Sequence, residues 1–228
     1  MPKSVLVVAA HPDDEVLGCG GTISRHVDSG DSVFILLVCE GITSRIGADS
    51  LSSRNQLSQL RDSSLKASSQ LGVLDTSFLS LPDNRLDSLN RLDVIQALEK
   101  HVTKTKPDII YTHHSGDVNI DHQIISHSVI TACRPFGEHI VRTILAFEVP
   151  SSTEWQVPAN ANCFAPNHFV NIDSYLENKL SALHFYHSEM RNWPHTRSYE
   201  YVKHLAHLRG AQVGFHAAEA FVVLRSIS

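Results

Sequence analysis

The chain has 228 residues, 42% hydrophobic and 19% charged, which is apolar enough for a sizeable core and too apolar for a disordered chain. Its formal net charge is -5 and no basic block exceeds a couple of residues, so the electrostatic footprint of a nucleic-acid binder is missing. The apolar stretch behind Lys3 stops at Ala10, where charge follows at once; it fits neither a signal peptide nor a membrane span, and the expected setting is cytoplasmic.

Residues 4 to 10, "SVLVVAA", form a continuous apolar run of the kind found in a parallel strand buried on both faces. Similar runs recur at 32 to 39, 76 to 81, 108 to 112 and 141 to 147. Between them lie helical stretches at 15 to 29, 53 to 71 ending at Gly72, 88 to 105 ending before Pro107, and 122 to 133 ending before Pro135. Alternating strand and helix predicts a doubly wound α/β sheet, with the usual strand order 3-2-1-4-5.

After residue 149 the pattern changes. "PSSTEWQVPANANCFAPN" is rich in Pro, Asn and Ser and reads as a long surface loop. Helices near 173 to 189 and 197 to 213 follow, then a last strand near 219 to 225. No repeat or linker interrupts the chain, so residues 1–228 are expected to form one domain. Cys19, Cys39, Cys133 and Cys163 are widely spaced with no Cys-x-x-Cys pair, which reads as reduced residues and not as a zinc ribbon or redox motif.

In such sheets ligands bind outside the carboxyl ends of the strands, where the strand order reverses. "HPDDE" follows the first strand and "THHSGDVNIDH" the fourth, and in the expected order those strands are neighbours. Carboxylates packed this densely repel one another unless a cation sits among them, and histidine with carboxylate suits Zn²⁺ or a similar divalent ion. Capping the first helix needs only one acid, and here Asp13, Asp14 and Glu15 stand in a row. The glycines of "GCGG" lack dinucleotide spacing and read as permitting close helix packing.

"AHPDDEVLGCGGT" followed by "THHSGDVNIDH" resembles the PIG-L (LmbE-like) family of zinc-dependent N-deacetylases. The segment "WPHTRSYEYVKHLAHLRGAQVGFHAAEAF" resembles bacterial members associated with sugar and cell-surface polysaccharide metabolism. The resemblance implies a Rossmann-like three-layer αβα fold with a mostly parallel sheet and removal of an acetyl group from an N-acetylated amino sugar or its nucleotide or glycoconjugate. It also implies Zn²⁺, or another divalent metal, on His11, Asp14 and His122, with Asp13 as general base. Members of the family are often oligomeric, so a homo-oligomer is a further expectation.

Several members carry His-Pro-Asp-His at the second motif, where this chain has "NIDH". Asn119 can donate a hydrogen bond to an oxyanion but cannot act as an acid. His195 is therefore the first candidate for protonating the leaving amine, with His113 or His114 second. Asp121 is expected to support the metal or orient a reaction partner. Arg45, His113 and Arg197 are candidate substrate contacts. Two rival readings remain: hydrolysis of another amide or acyl group, and a non-catalytic sugar- or nucleotide-binding module.

Overall fold

The computed structural model describes residues 2–42, 44, 51–157 and 163–228. Its strands are β1 (Ser4–Ala9), β2 (Ser32–Cys39), β3 (Asp75–Leu81), β4 (Ile109–His113), β5 (Thr143–Phe147), β6 (His168–Asn171) and β7 (Ala218–Ser226). Its helices are α1 (Asp14–Asp28), α2 (Leu51–Leu71), α3 (Arg91–Thr105), α4 (Ile120–Ala132), α5 (Leu176–Leu183) and α6 (Tyr199–Ala211).

The sheet order is β3-β2-β1-β4-β5-β7-β6. The first five strands pair parallel and contain the expected 3-2-1-4-5 order; β7 runs antiparallel to both β5 and β6.

Strand β1 shows why the sheet must be covered on both faces. Val5, Val7 and Ala9 join one core cluster with side chains of α1, α2, α5 and α6. Leu6, Val8 and Ala10 join a second with side chains of α3 and α4. Side chains alternate across a strand, so an unbroken apolar run can be buried only between two helical layers.

Beyond shifts of one or two residues at element ends, the structure departs from the sequence expectation in these places. Helix α3 begins at Arg91 and not near 88, because Asn90 caps it by accepting from Leu92 N at 3.1 Å. The helix expected over 173 to 189 is α5 plus a 3-10 turn, His184–Tyr186. Strand β6 was not expected: it has only four residues, too few for a visible alternation, and forms by pairing with β7.

Helix α1 is broken at Cys19 (φ -148°, ψ 25°). The Glu219 carboxylate accepts the freed Gly21 N–H at 3.0 Å and Thr22 N–H at 2.7 Å. Buried Lys179 neutralises Glu219 at 2.6 Å and donates to Leu17 O at 2.8 Å. Gly18 lets this helix lie against β5, because a Cβ there would stand 2.3 Å from the Phe147 ring.

Candidate active site

The turn between β1 and α1 sets the site. Asp13 adopts φ 105°, a left-handed conformation that costs a non-glycine residue about 1–3 kcal/mol and persists where the surroundings hold it. Glu15 does the holding: its Oε2 accepts Asp13 N–H at 3.1 Å, while Tyr186 donates to its Oε1 at 2.6 Å. The Asp13 carbonyl accepts from Val16 N and Leu17 N, which starts the helix.

Three donor atoms converge beyond this turn. His11 Nδ1 and His122 Nε2 lie 3.3 Å apart, and each is 3.2 Å from the same Asp14 Oδ2. Zinc bonds of 2.0–2.1 Å in a tetrahedron put neighbouring ligands about 3.3 Å apart, so the three atoms fit the ion without rearrangement. His11, Asp14 and His122 are accordingly one of the groups able to hold a metal.

Each imidazole has a carboxylate at its far nitrogen. His11 Nε2 is 3.1 Å from both Asp121 Oδ2 and Asp83 Oδ1, and His122 Nδ1 is 3.1 Å from Asp117 Oδ2. Such outer carboxylates fix the tautomer and orientation of a ligand imidazole. They are themselves fixed: Asp121 accepts from Asn84 N and Leu86 N at 2.7 and 3.0 Å, and Asp117 from Thr153 Oγ1 at 2.7 Å and from Ser152 Oγ.

The electrostatics match a cation site. Burial would lower the His122 pKa, but Asp14 and Asp117 push it up to about 9; His11 likewise rises, through Asp121, Asp14 and Asp83. Asp14 sits below the carboxylate range, the histidines outweighing its burial, and Asp117 is held at about 2 in the same way. Protons gather on the imidazoles because the carboxylates need positive charge, a place a metal ion takes while releasing them.

Cys39 also approaches His11 and Asp121. Burial pushes its thiol up, and a neutral thiol is a poor ligand.

Asp13 is 1% exposed. Arg197 donates to its Oδ2 at 2.9 Å and lies 3.9 Å from Asp14 Oδ1. Asp13 Oδ1 and Asp14 Oδ1 are buried with no hydrogen-bond partner among the described residues. Burial pushes the Asp13 carboxyl up to about 7 against the opposing pull of Arg197.

The sheet brings His11, Asp13, Asp14, Asp121 and His122 together as expected. Arg197 joins them, but on the carboxylates and not out at a substrate rim. Asn119 is occupied: its Oδ1 caps α4 by accepting Asp121 N at 2.8 Å, and its Nδ2 donates to Asn84 Oδ1 at 2.9 Å. Those bonds use the amide oxygen and one of the two Nδ2 hydrogens, leaving one N–H. His113 is fully buried behind His122, stacked at 3.9 Å, with Nε2 accepting Ala10 N–H at 2.7 Å. From there it backs the His122 ring and lies behind the three converging donor atoms.

His195 lies at the rim, its Nδ1 accepting Arg197 N–H at 3.0 Å and its ring meeting Trp155 edge to face. Arg45 falls outside the described residues.

Sequence reasoning missed Asp83, Asp117 and the Glu15–Tyr186 brace. Asp117 was inside the quoted second cluster, and Asp83 follows β3 at the same carboxyl edge of the sheet, so the edge rule pointed at both. Nothing local marked Tyr186, which reaches Glu15 across 171 positions.

Comparison with known proteins gives a consistent picture. Residues 6–133 match the PIG-L family, described as GlcNAc-PI de-N-acetylase. The chain is 30% identical over 187 residues to the uncharacterized deacetylase YaiS of Escherichia coli, covering 79% of this chain and 89% of that protein. It is 27% identical to a probable N-acetyl-alpha-D-glucosaminyl L-malate deacetylase 2 of Bacillus cereus, covering 83% and 84%. The N,N'-diacetylchitobiose deacetylase structure from Pyrococcus horikoshii superposes with a TM-score of 0.79 at 22% identity, covering 98% and 84%. The hydratase GalB of Pseudomonas putida reaches 0.80 at 22% identity, covering 99% and 98%, so the fold alone does not name the bond.

Proposed function

We propose that this chain, which belongs to the PIG-L (GlcNAc-PI de-N-acetylase) family, hydrolyses the acetamido group of an N-acetylated amino sugar, free or carried on a glycoconjugate, to acetate and a free amine. The observation that carries the reading is the single Asp14 oxygen shared by His11 Nδ1 and His122 Nε2, with the Asp13 carboxylate on the adjacent residue. The deacetylase names of YaiS and the Bacillus cereus relative support the reaction class. The reading takes residues 1–228 as one deacetylase domain in a reducing, cytoplasmic setting, with buried Cys19, Cys39 and Cys133 as thiols. Among the described residues no helix is long and apolar enough to cross a membrane.

When bound to His11, Asp14 and His122, a divalent cation of the zinc type supplies Lewis acidity and a water whose pKa falls to about 7. Asp13 is the general base: Arg197 fixes Oδ2 at 2.9 Å and leaves Oδ1, which has no partner among the described residues, to receive the proton. Asp121 and Asp83 orient His11, and Asp117 orients His122. His195 accepts Arg197 N–H at Nδ1, which leaves Nε2 as its N–H donor; this reading has that N–H hydrogen-bond the substrate, while the proton that Asp13 takes from the water passes to the leaving amine. Asn119 keeps one Nδ2 N–H beyond its bond to Asn84, and His113 stays behind the His122 ring.

Acetate release from N-acetylglucosamine and diacetylchitobiose tests the proposal, before and after chelation and on restoring zinc. Loss on chelation with recovery on restoring zinc is expected; full activity after complete metal removal overturns it. Two variants separate the roles: Asp13→Asn keeps the metal and loses about 100-fold or more in rate, whereas His11→Ala loses the metal.

A further inference from the structure

The segment Thr153–Trp155 is a short 3-10 turn, and its fastening is unusual for a surface loop. Thr153 Oγ1 donates to Asp117 Oδ2 at 2.7 Å and accepts Val149 N–H at 2.8 Å. Ser152 Oγ also donates to Asp117, while the Glu154 carboxylate accepts Ser151 N–H at 2.7 Å and Ser152 N–H at 3.3 Å. Asp117 in turn faces His122 Nδ1 at 3.1 Å, so the turn is tied to a metal-facing imidazole through one carboxylate.

On this anchored base the Trp155 side chain stays 54% exposed. Among the described residues its ring meets that of His195, edge to face at 5.6 Å and 74°, and His195 is bonded to the backbone of Arg197, whose guanidinium holds Asp13. An indole costs free energy when left in water, and a loop that merely tolerated one could swing it inward. Here hydrogen bonds pin the backbone and the ring remains outside, at the edge of the catalytic groups.

We propose that the exposed indole of Trp155, braced by His195, is the platform on which the pyranose ring of the substrate stacks while its acetamido group lies at His11, Asp14 and His122. The inference rests on the deacetylase reading and deepens it by naming how the sugar is recognised. A pyranose whose substituents are equatorial presents faces of axial C–H bonds, apolar and slightly positive, which complement the negative π-face of an indole. The platform therefore favours gluco-configured N-acetyl sugars over acyclic N-acetyl amides. A rigid ring also binds at little ordering cost, since the anchored turn is already in place.

The experiment compares methyl N-acetylglucosaminide with N-acetylethanolamine, a substrate with the same amide and no ring. In the metal-loaded enzyme, Trp155→Ala is expected to raise KM for the glycoside about tenfold, the scale of one contact of about 1.4 kcal/mol. It should leave kcat within a few-fold and the acyclic amide unchanged, and Trp155→Tyr should restore most of the loss. Equal effects on both substrates, no effect on either, or a change of oligomeric state in Trp155→Ala by sedimentation would each overturn the proposal.

A second arm does not need turnover. The chain has two tryptophans, so a Trp193→Phe background leaves Trp155 as the only indole reporter. Saturable change of its fluorescence with methyl N-acetylglucosaminide, and none with N-acetylethanolamine, supports the platform even if no amide is cleaved; absence of a change overturns it. Failure of acetate release with both amides counts against the deacetylase reading alone.

Discussion

Arg197 donates to Asp13 across 184 positions of sequence, Nη1 to Oδ2 at 2.9 Å, which leaves Oδ1 as the oxygen open to the proposed base role. Arg197→Met is expected to cut kcat by roughly 30-fold or more, in the range set by misplacing a general base, while bound metal measured by elemental analysis stays at the parent level. Arg197→Lys should recover part of the rate, because an ammonium restores the charge but not the planar fork. Loss of metal in Arg197→Met would show that the guanidinium supports the ligands and not the base.

Asp117 carries no ligand atom in the proposed centre, yet it fixes His122. Asp117→Asn should weaken zinc affinity by about 10- to 100-fold in a chelator competition, the usual range for a carboxylate behind a ligand imidazole. Activity at saturating zinc should largely return. Unchanged affinity would remove Asp117 from the metal's support.

Gly18 is predicted to be intolerant of any side chain. A Cβ would stand 2.3 Å from the Phe147 ring, which itself packs on His113 at 4.7 Å, under His122. Gly18→Ala should destabilise by about 1–3 kcal/mol and lower Tm by on the order of 5 °C, read by thermal melting. An unchanged Tm would mean that Phe147 moves freely.

The pH dependence of stability should carry a signature of His26. Its Nδ1 meets Asp31 Oδ2 at 2.7 Å and its Nε2 meets the buried Tyr111 hydroxyl at 2.9 Å. Burial holds its pKa below the usual 6.5, against the pull of Asp31. A folded pKa below the unfolded one means that the unfolded chain binds the proton more readily. The contribution is therefore present above pH 6.5 and is lost as pH falls through the folded value. Denaturant melts from pH 7 to pH 5 should show a shallower decline in His26→Asn than in the parent, and parallel curves would refute the assignment.

The parallel sheet was legible because apolar runs and helical periods report burial directly, and β1 shows both faces of that burial in one stretch. His11, His122 and Asp14, the proposed ligands, were legible because each stands at a strand exit, in a motif long enough to resemble a family. Strand β6 was not, since four residues make no pattern until β7 pairs with them. Asn119 was singled out by its chemistry as an oxyanion donor; its position one residue before α4 also makes its side-chain oxygen the helix cap, which the motif alone did not announce.

The sequence by itself determined the alternation of strand and helix and the edge of the sheet where chemistry gathers, because these follow from periodicity and from residues adjacent in the chain; His11, Asp14 and His122 were singled out by resemblance to a family. Only the tertiary structure decided which groups hold them: Arg197 on Asp13, Asp117 and Asp83 behind the imidazoles, Tyr186 on Glu15, and Trp155 left standing at the rim. Those partners lie on separate elements, and a contact between elements depends on how the layers pack, which no local pattern encodes.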